Sequence, residues 1–254
     1  MATDNSAKKA IYGLLGKDID YSFSRSYFTE KFKREQRTDA VYVNFDLQDL
    51  TELHEVLKTQ NLSGMNVTIP YKEKVFPFLS TLDPVAEKIG AVNTIALTPQ
   101  GLKGYNTDAY GFEQSLLPHL HSTRGKALVL GSGGASKAVC YILKQLGFKL
   151  DRVSRDREKT GMNYQDLEEK GLGGYQVVVN TTPLGTFPDV ETKPSIPYST
   201  ISSNCLGFDL IYNPDKTAFL KAFEQAGASI QNGLAMLEFQ AEKAWEIWQQ
   251  HRIS

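Results

Sequence analysis

Lys72 and Asp108 are the residues of this chain best suited to acid–base work. A lysine beside a carboxylate can pass a proton to a carbonyl oxygen or take one from a hydroxyl. Burial would lower the lysine pKa and a nearby carboxylate would raise it, so the net direction is open at this level. Each residue also has a plainer reading. Lys72 lies in a Lys-Glu-Lys helix start that would usually be solvated, and Asp108 could be the N-cap of a helix over 110–117. Around them are clusters of hydroxyls and amides: Ser22 with Ser24, Asn66-Val-Thr68-Ile-Pro-Tyr-Lys72, Ala91-Val-Asn93-Thr94, and Gly104-Tyr-Asn106-Thr107-Asp108. A helix cap accounts for one serine. In the other clusters, Asn and Thr interrupt strand-like runs at or near their ends, where an open parallel sheet binds its ligands. Groups that both donate and accept hydrogen bonds suit a polyhydroxylated small molecule.

A second chemistry is written in Lys126-Ala-Leu-Val-Leu-Gly131-Ser132-Gly133-Gly134-Ala135. The apolar run predicts a strand covered on both faces. The glycines then allow a sharp turn and close approach of backbone N–H groups to a ligand. From Ala135 the spacing of Ala138, Val139, Ile142, Leu143 and Leu146 predicts a helix, closed by Gly147. A helix that starts on a glycine turn offers unpaired N–H donors and a positive dipole end, which suit a pyrophosphate.

These residues need a frame, and the pattern supplies one. Strands are expected at 11–16, 41–47 and 65–69, helices after each, and a hairpin over 92–105 turned at Pro99-Gln100-Gly101. Such alternation implies an open α/β layer domain. A polar stretch at 118–125 is the expected crossing to a second domain, with further strands at 150–153, 176–180, 206–210 and 229–230. His119 and His121 in that stretch read as linker rather than metal ligands, and no metal is expected. A long helix over 234–248 carries Leu237, Ala241, Ala244, Trp245 and Trp248 on one face, which is core patterning.

The chain has 254 residues and a net charge of −1, so no electrostatic footprint for nucleic acid or an anionic membrane is present. Residues 1–10 lack a signal-peptide core, and no apolar run approaches membrane-spanning length. Cys140 and Cys205 lie in apolar surroundings, as reduced thiols of a cytoplasmic protein would.

Seven motifs in order resemble the shikimate dehydrogenase family over nearly the whole chain. They are Asn66-Val-Thr-Ile-Pro-Tyr-Lys-Glu73, Gly90-Ala-Val-Asn-Thr-Ile95, Gly104-Tyr-Asn-Thr-Asp108, Gly131-Ser-Gly-Gly-Ala135, Asn180-Thr-Thr-Pro-Leu-Gly185, Asp209-Leu-Ile-Tyr-Asn-Pro214, and Asn232-Gly-Leu-Ala-Met-Leu237 with Gln240. The resemblance implies an α/β protein of two domains. One is an open α/β substrate domain over 1–108, completed by a C-terminal helix over 234–254; the other is a Rossmann-type doubly wound nucleotide-binding domain over 109–233. It implies NADPH-dependent reduction of 3-dehydroshikimate to shikimate, with Lys72 and Asp108 as the catalytic pair. Ser22, Ser24, Thr68, Asn93, Tyr212 and Gln240 match residues that hold or line the substrate. Gly131, Ser132, Gly133, Gly134, Ala135, Ser154, Arg155, Thr181, Leu210 and Gly233 match the cofactor side. The family's serine motif around Ser22 and Ser24, which precedes these seven, departs from the family's pattern, with Tyr21 for histidine and Arg25 for proline.

NADP is expected over NAD from 150–157, where Arg155 and Arg157 can meet a 2′-phosphate and Ser154 can donate to it. Asp156 is the contrary sign, because a carboxylate facing that phosphate would favour NAD. Alternatives are a quinate/shikimate dehydrogenase using NAD and a non-catalytic metabolite sensor. The expected partners are small molecules, with no nucleic acid or membrane, in a monomer or homodimer.

Overall fold

The computed structural model describes residues 9–20, 22–120 and 125–252. Tyr21, His121 and residues 1–8 lie outside them. In chain order the elements are β1 (Ala10–Gly16), α1 (Phe23–Arg34), β2 (Ala40–Asp46), α2 (Leu53–Val56), β3 (Leu62–Val67), β4 (Thr81–Leu82), α3 (Pro84–Ile89), β5 (Thr94–Thr98), β6 (Gly101–Tyr105) and α4 (Thr107–Leu116). They continue with β7 (Lys126–Leu130), α5 (Gly134–Gln145), β8 (Lys149–Val153), α6 (Arg157–Thr160), α7 (Tyr164–Lys170), β9 (Tyr175–Asn180), β10 (Leu206–Asp209), α8 (Ala218–Gln225), β11 (Ser229–Gln231) and α9 (Leu234–Gln250). Two compact units result, Met1–Thr107 with Ala241–Ser254, and Asp108–Gln240. The chain passes between them inside α4 and again inside α9.

The first unit holds a six-stranded sheet in the order β2-β1-β3-β5-β6-β4. β1 runs parallel to both neighbours, whereas β5 is antiparallel to β3 and to β6. Successive side chains of a strand face opposite ways. Leu15 accordingly joins a core with Met65, Val67 and Ile95, while Tyr12 and Leu14 join Phe28, Tyr42, Trp245 and Trp248 on the other side. Phe28 stacks on Tyr42 with centroids 4.5 Å apart. The tryptophan stripe of α9 is therefore core. Gly64 leaves room for the Trp248 indole, whose N–H donates to the Ile95 carbonyl at 3.0 Å.

The second unit holds a five-stranded parallel sheet in the order β11-β10-β9-β7-β8. The continuous apolar runs Ala127–Leu130 and Val177–Val179 form its buried centre, as a sheet covered on both faces requires. From β7 the chain steps first to β8 and then to β9 on the opposite side, so the switch point lies between β7 and β9. Burial pushes both thiols up, Cys205 to about 12, which leaves them inert.

Two local expectations change. Residues 71–75 form consecutive turns that lead into a 3-10 turn at Phe76–Phe78 rather than a helix. Pro77 explains this, because its ring excludes the carbonyl four residues back. Helix α8, unmarked by any sequence signal above, is capped by Thr217, whose hydroxyl accepts from Leu220 N–H.

Candidate active site

In the first unit, polar side chains meet at the strand ends in a buried network. The Tyr42 hydroxyl donates to Asn66 Oδ1 at 2.8 Å. Asn66 Nδ2 donates to the Asn93 carbonyl at 3.2 Å and to Thr94 Oγ1 at 3.1 Å. Asn93 Oδ1 accepts the Thr107 backbone N–H at 2.6 Å, and Asn93 Nδ2 donates to Thr107 Oγ1 at 3.0 Å. Asn106 Nδ2 donates to the Ala91 carbonyl at 2.8 Å. Every member of this net is neutral. Burial pushes the Tyr42 phenol far above its ordinary value, opposed only in part by a hydrogen bond with Ser24. Asn93 thus forms the hub that joins β5 to the start of α4.

Ser22 takes the cap role. It is the N-cap of α1, and its Oγ accepts the Ser24 N–H at 3.3 Å. Ser24 is half-buried and reaches Tyr42. Thr68 follows β3; its N–H donates to the Leu15 carbonyl at 2.9 Å, and its carbonyl accepts from Tyr71 N–H at 2.8 Å. Lys72 is half-buried in the turns beyond it, and its carbonyl accepts from Val92 N–H at 2.8 Å. The Tyr71 hydroxyl pins those turns to the Leu47 carbonyl at 2.6 Å.

In the second unit, Asp108 is buried in the first turn of α4. It is inside the helix and not its cap, and a carboxylate there meets the positive dipole end. Gln240 is buried on α9, with Nε2 donating to the Leu237 carbonyl at 3.0 Å. The two helices touch at Gly111, where a Cβ would come within 2.5 Å of the Met236 carbonyl and 3.0 Å of Gln240. Gly111 lies three residues after Asp108, on the same helix face. A glycine in a helix interior is unfavourable by roughly 1 kcal/mol against alanine, so Gly111 was the available signal for this close approach.

The glycine turn follows β7. Gly131 has φ 123°, and a Cβ there would run into Thr181 Oγ1. Thr181, at the end of β9, donates its hydroxyl to the Leu130 carbonyl at 2.7 Å. The turn therefore lies at the switch point, where open α/β sheets take their ligands. Gly133 is the N-cap of α5, with no side-chain cap and nothing within 4 Å of an added Cβ. Ser132, Gly134 and Ala135 lie beside it, Ser132 and Ala135 half-buried and Gly134 at the head of the helix. This cradle fits a dinucleotide pyrophosphate, because the helix head has no side-chain cap and Gly133 leaves open space where a Cβ would stand. Gly233 is buried where any Cβ would strike the Leu210 carbonyl, and Tyr212 is half-buried two residues beyond Leu210.

The loop after β8 bears on cofactor choice. Asp156 caps α6, accepting from Glu158 N–H at 3.0 Å and pairing with Lys159 at 3.4 Å. Ser154 is buried, and its hydroxyl donates to the Asp156 carbonyl at 2.7 Å. Arg155 is exposed, while Arg157 lies 3.5 Å from Asp166. Among the described residues no group of three metal-ligating side chains occurs, and no helix is long and apolar enough to cross a membrane.

A parallel sheet with an uncapped helix head at its switch point, in a chain with a second α/β unit rich in buried amides and hydroxyls, has the form of a dinucleotide-binding α/β protein. Comparison with known proteins narrows this. The family model for the shikimate dehydrogenase substrate binding domain matches residues 14–95. A shikimate dehydrogenase (NADP(+)) of Carboxydothermus hydrogenoformans is 38% identical over 93% of this chain and 90% of its own. The crystal structure of shikimate dehydrogenase 1 from Peptoclostridium difficile has a TM-score of 0.83 at 35% identity, covering 96% of this chain and 93% of that one. The Thermus thermophilus enzyme in complex with NADP(H) and shikimate gives 0.81 at 29% identity, over 95% and 94%. The chain belongs to the shikimate dehydrogenase family.

Proposed function

We infer that this enzyme reduces 3-dehydroshikimate to shikimate with NADPH, in the pathway to chorismate and the aromatic amino acids. Residues 1–108, completed by the C-terminal helix over 234–254, hold the substrate, and residues 109–233 hold NADP. NADPH, when bound, supplies the hydride that reduces the ring ketone. Lys72 gives the proton to the oxygen that becomes the hydroxyl, and Asp108 orients Lys72. Ser22 and Ser24 hold the carboxylate, while Thr68, Asn93 and Gln240 hold ring hydroxyls and Tyr212 lines the site. Gly131 to Ala135 receive the pyrophosphate; Thr181, Leu210 and Gly233 shape the nicotinamide end.

The observation that carries this reading is the cradle, a glycine turn seated on Thr181 at the switch point with an uncapped α5 beyond it. The cap role of Asp156 supports NADP over NAD. That carboxylate is engaged by its own helix, which leaves the exposed Arg155 to meet a 2′-phosphate, while the Ser154 hydroxyl, matched to the cofactor side, donates instead to the Asp156 carbonyl and shapes the loop. The enzyme works in the cytoplasm on small molecules, as a monomer or homodimer. Consumption of NADPH with 3-dehydroshikimate is the direct test, and no turnover would move the chain to the sensor alternative. Arg155→Ala should raise the KM for NADPH about tenfold or more and leave that for NADH unchanged, since a charge-assisted pair is worth roughly 1.5–3 kcal/mol. A parent that prefers NADH would move the enzyme to the quinate/shikimate alternative.

A further inference from the structure

Asn180, Asp209 and Thr217 have no part in the roles assigned above, yet they form the most demanding polar cluster of the second unit. Asp209 ends β10 and is fully buried. Its carboxylate accepts from the Thr217 hydroxyl at 2.7 Å, the Asn180 side-chain amide at 3.1 Å and the Ile211 N–H at 3.1 Å. Asn180 ends β9 directly beside it in the sheet register. Asn180 Oδ1 in turn accepts the Thr182 N–H at 3.0 Å and the Thr182 hydroxyl at 2.7 Å. The Asn180 carbonyl accepts the Leu210 N–H at 3.0 Å. One carboxylate therefore ties down both loops that leave β9 and β10, the first carrying Thr181 and the second Leu210 and Tyr212. A buried charge is unfavourable unless its partners compensate it, and apolar residues would close a sheet end at least as well. The placement at the carboxyl ends of strands next to the switch point is that of a ligand floor.

We propose that Asp209, acting through Asn180 and Ile211 and braced by Thr217, is a positioning residue for the nicotinamide end of the cofactor. It touches neither cofactor nor substrate. It holds Thr181 and Leu210 where they face the bound nucleotide, and the second grip on that loop is Gly233, which lets the Leu210 carbonyl come close. The assignment rests on the functional reading above.

NADPH is titrated by fluorescence against the parent, Asp209→Asn, Asn180→Ala, Thr217→Val and Thr217→Ser, well below each melting temperature. Asp209→Asn and Asn180→Ala should weaken NADPH binding at least tenfold. Thr217→Val should weaken it less, with Thr217→Ser restoring the parent value because the hydroxyl returns. ADP-ribose 2′-phosphate, which lacks the nicotinamide, should bind all five proteins alike. If Asp209→Asn does not fold, Asn180→Ala carries the test, since it leaves the other two donors to the carboxylate in place. Folded variants that bind NADPH within twofold of the parent would overturn the proposal and leave the functional reading standing. Equal weakening for the nicotinamide-free ligand would also overturn it, as general loosening of the unit. A parent that binds no nicotinamide nucleotide overturns the functional reading and the proposal with it.

Discussion

The two units bury their polar groups differently. In the first, Tyr42, Asn66, Asn93, Thr94 and Thr107 form a net without formal charge, and Lys72 stands in the turns beyond it. In the second, Asp209 puts a carboxylate in the sheet itself, and burial raises its pKa to about 6. A neutral net loses little when its members are desolvated together, because each donor meets an acceptor. A buried carboxylate also needs its donors, but it makes folding depend on pH. Among the described residues, the one charge the first unit buries beside this net, Lys31, is paired with Glu35 at 2.6 Å and Glu242 at 2.7 Å, and Asp39, held down to about 2 by Arg37, titrates only in strong acid. The second unit carries its titrating carboxylate at the floor of its ligand loops.

The largest effect expected separates chemistry from scaffold. Lys72→Ala should lower kcat by ~10²–10⁴-fold with little change in KM or melting temperature, since general acid catalysis typically contributes that much. A kcat within a few-fold of the parent would reduce Lys72 to a binding residue.

Asp209 comes next. Its pKa is 3.8 in the reference state and about 6 when folded. Between those values the native state holds a proton that the unfolded chain has released. Stability from this group therefore falls as pH rises from about 4 to 6, and stays flat above. A shift of this size corresponds to roughly 3 kcal/mol at most. Urea unfolding at pH 4.5 and 7 should show the parent losing stability relative to Asp209→Asn as pH rises. Parallel pH dependence in both proteins would sink the idea that the second unit titrates in its core.

Tyr42→Phe probes the neutral net. It leaves Asn66 Oδ1 without its phenol donor in a buried site, a loss of about 1–3 kcal/mol. That loss should be the same at pH 5 and pH 8, and a pH-dependent difference would show a titrating group coupled to the net. The smallest effect is expected at Ser22 and Ser24. Ser22→Ala removes the cap of α1 and should destabilise by about 1 kcal/mol. Both Ser22→Ala and Ser24→Ala should weaken shikimate binding, measured by calorimetry, without altering NADPH affinity. Unchanged shikimate affinity in both would mean the departing first loop no longer reaches the substrate.

Much of the frame was legible in the chain because its signals are local. Apolar runs at 127–130 and 177–179 could only be strands covered on both faces. The glycine turn announced its helix, and Asp83 before Pro84, a cap residue followed by proline at the first helical position, is the N-cap of α3. Other features depended on distant partners. The serine that caps α1 could not be chosen between Ser22 and Ser24 without the turn that precedes them. Pro77, five residues beyond Lys72, overrode the helical look of 71–75. Asp156 had two possible orientations, and only the short α6 that it caps decided between them.

By itself, then, the sequence determined the alternation of strands and helices, the position of the nucleotide turn and the polar residues gathered at strand ends, since periodicity, glycine and proline act within a few residues. The tertiary structure alone decided which of those polar groups support one another. Tyr42 meets Asn66 across 24 residues of chain, Asn180 meets Asp209 across 29, and the Trp248 indole finds the Ile95 carbonyl across 153. Hydrogen bonds are satisfied in space, and their partners are set by strand register and helix packing, which no local pattern encodes.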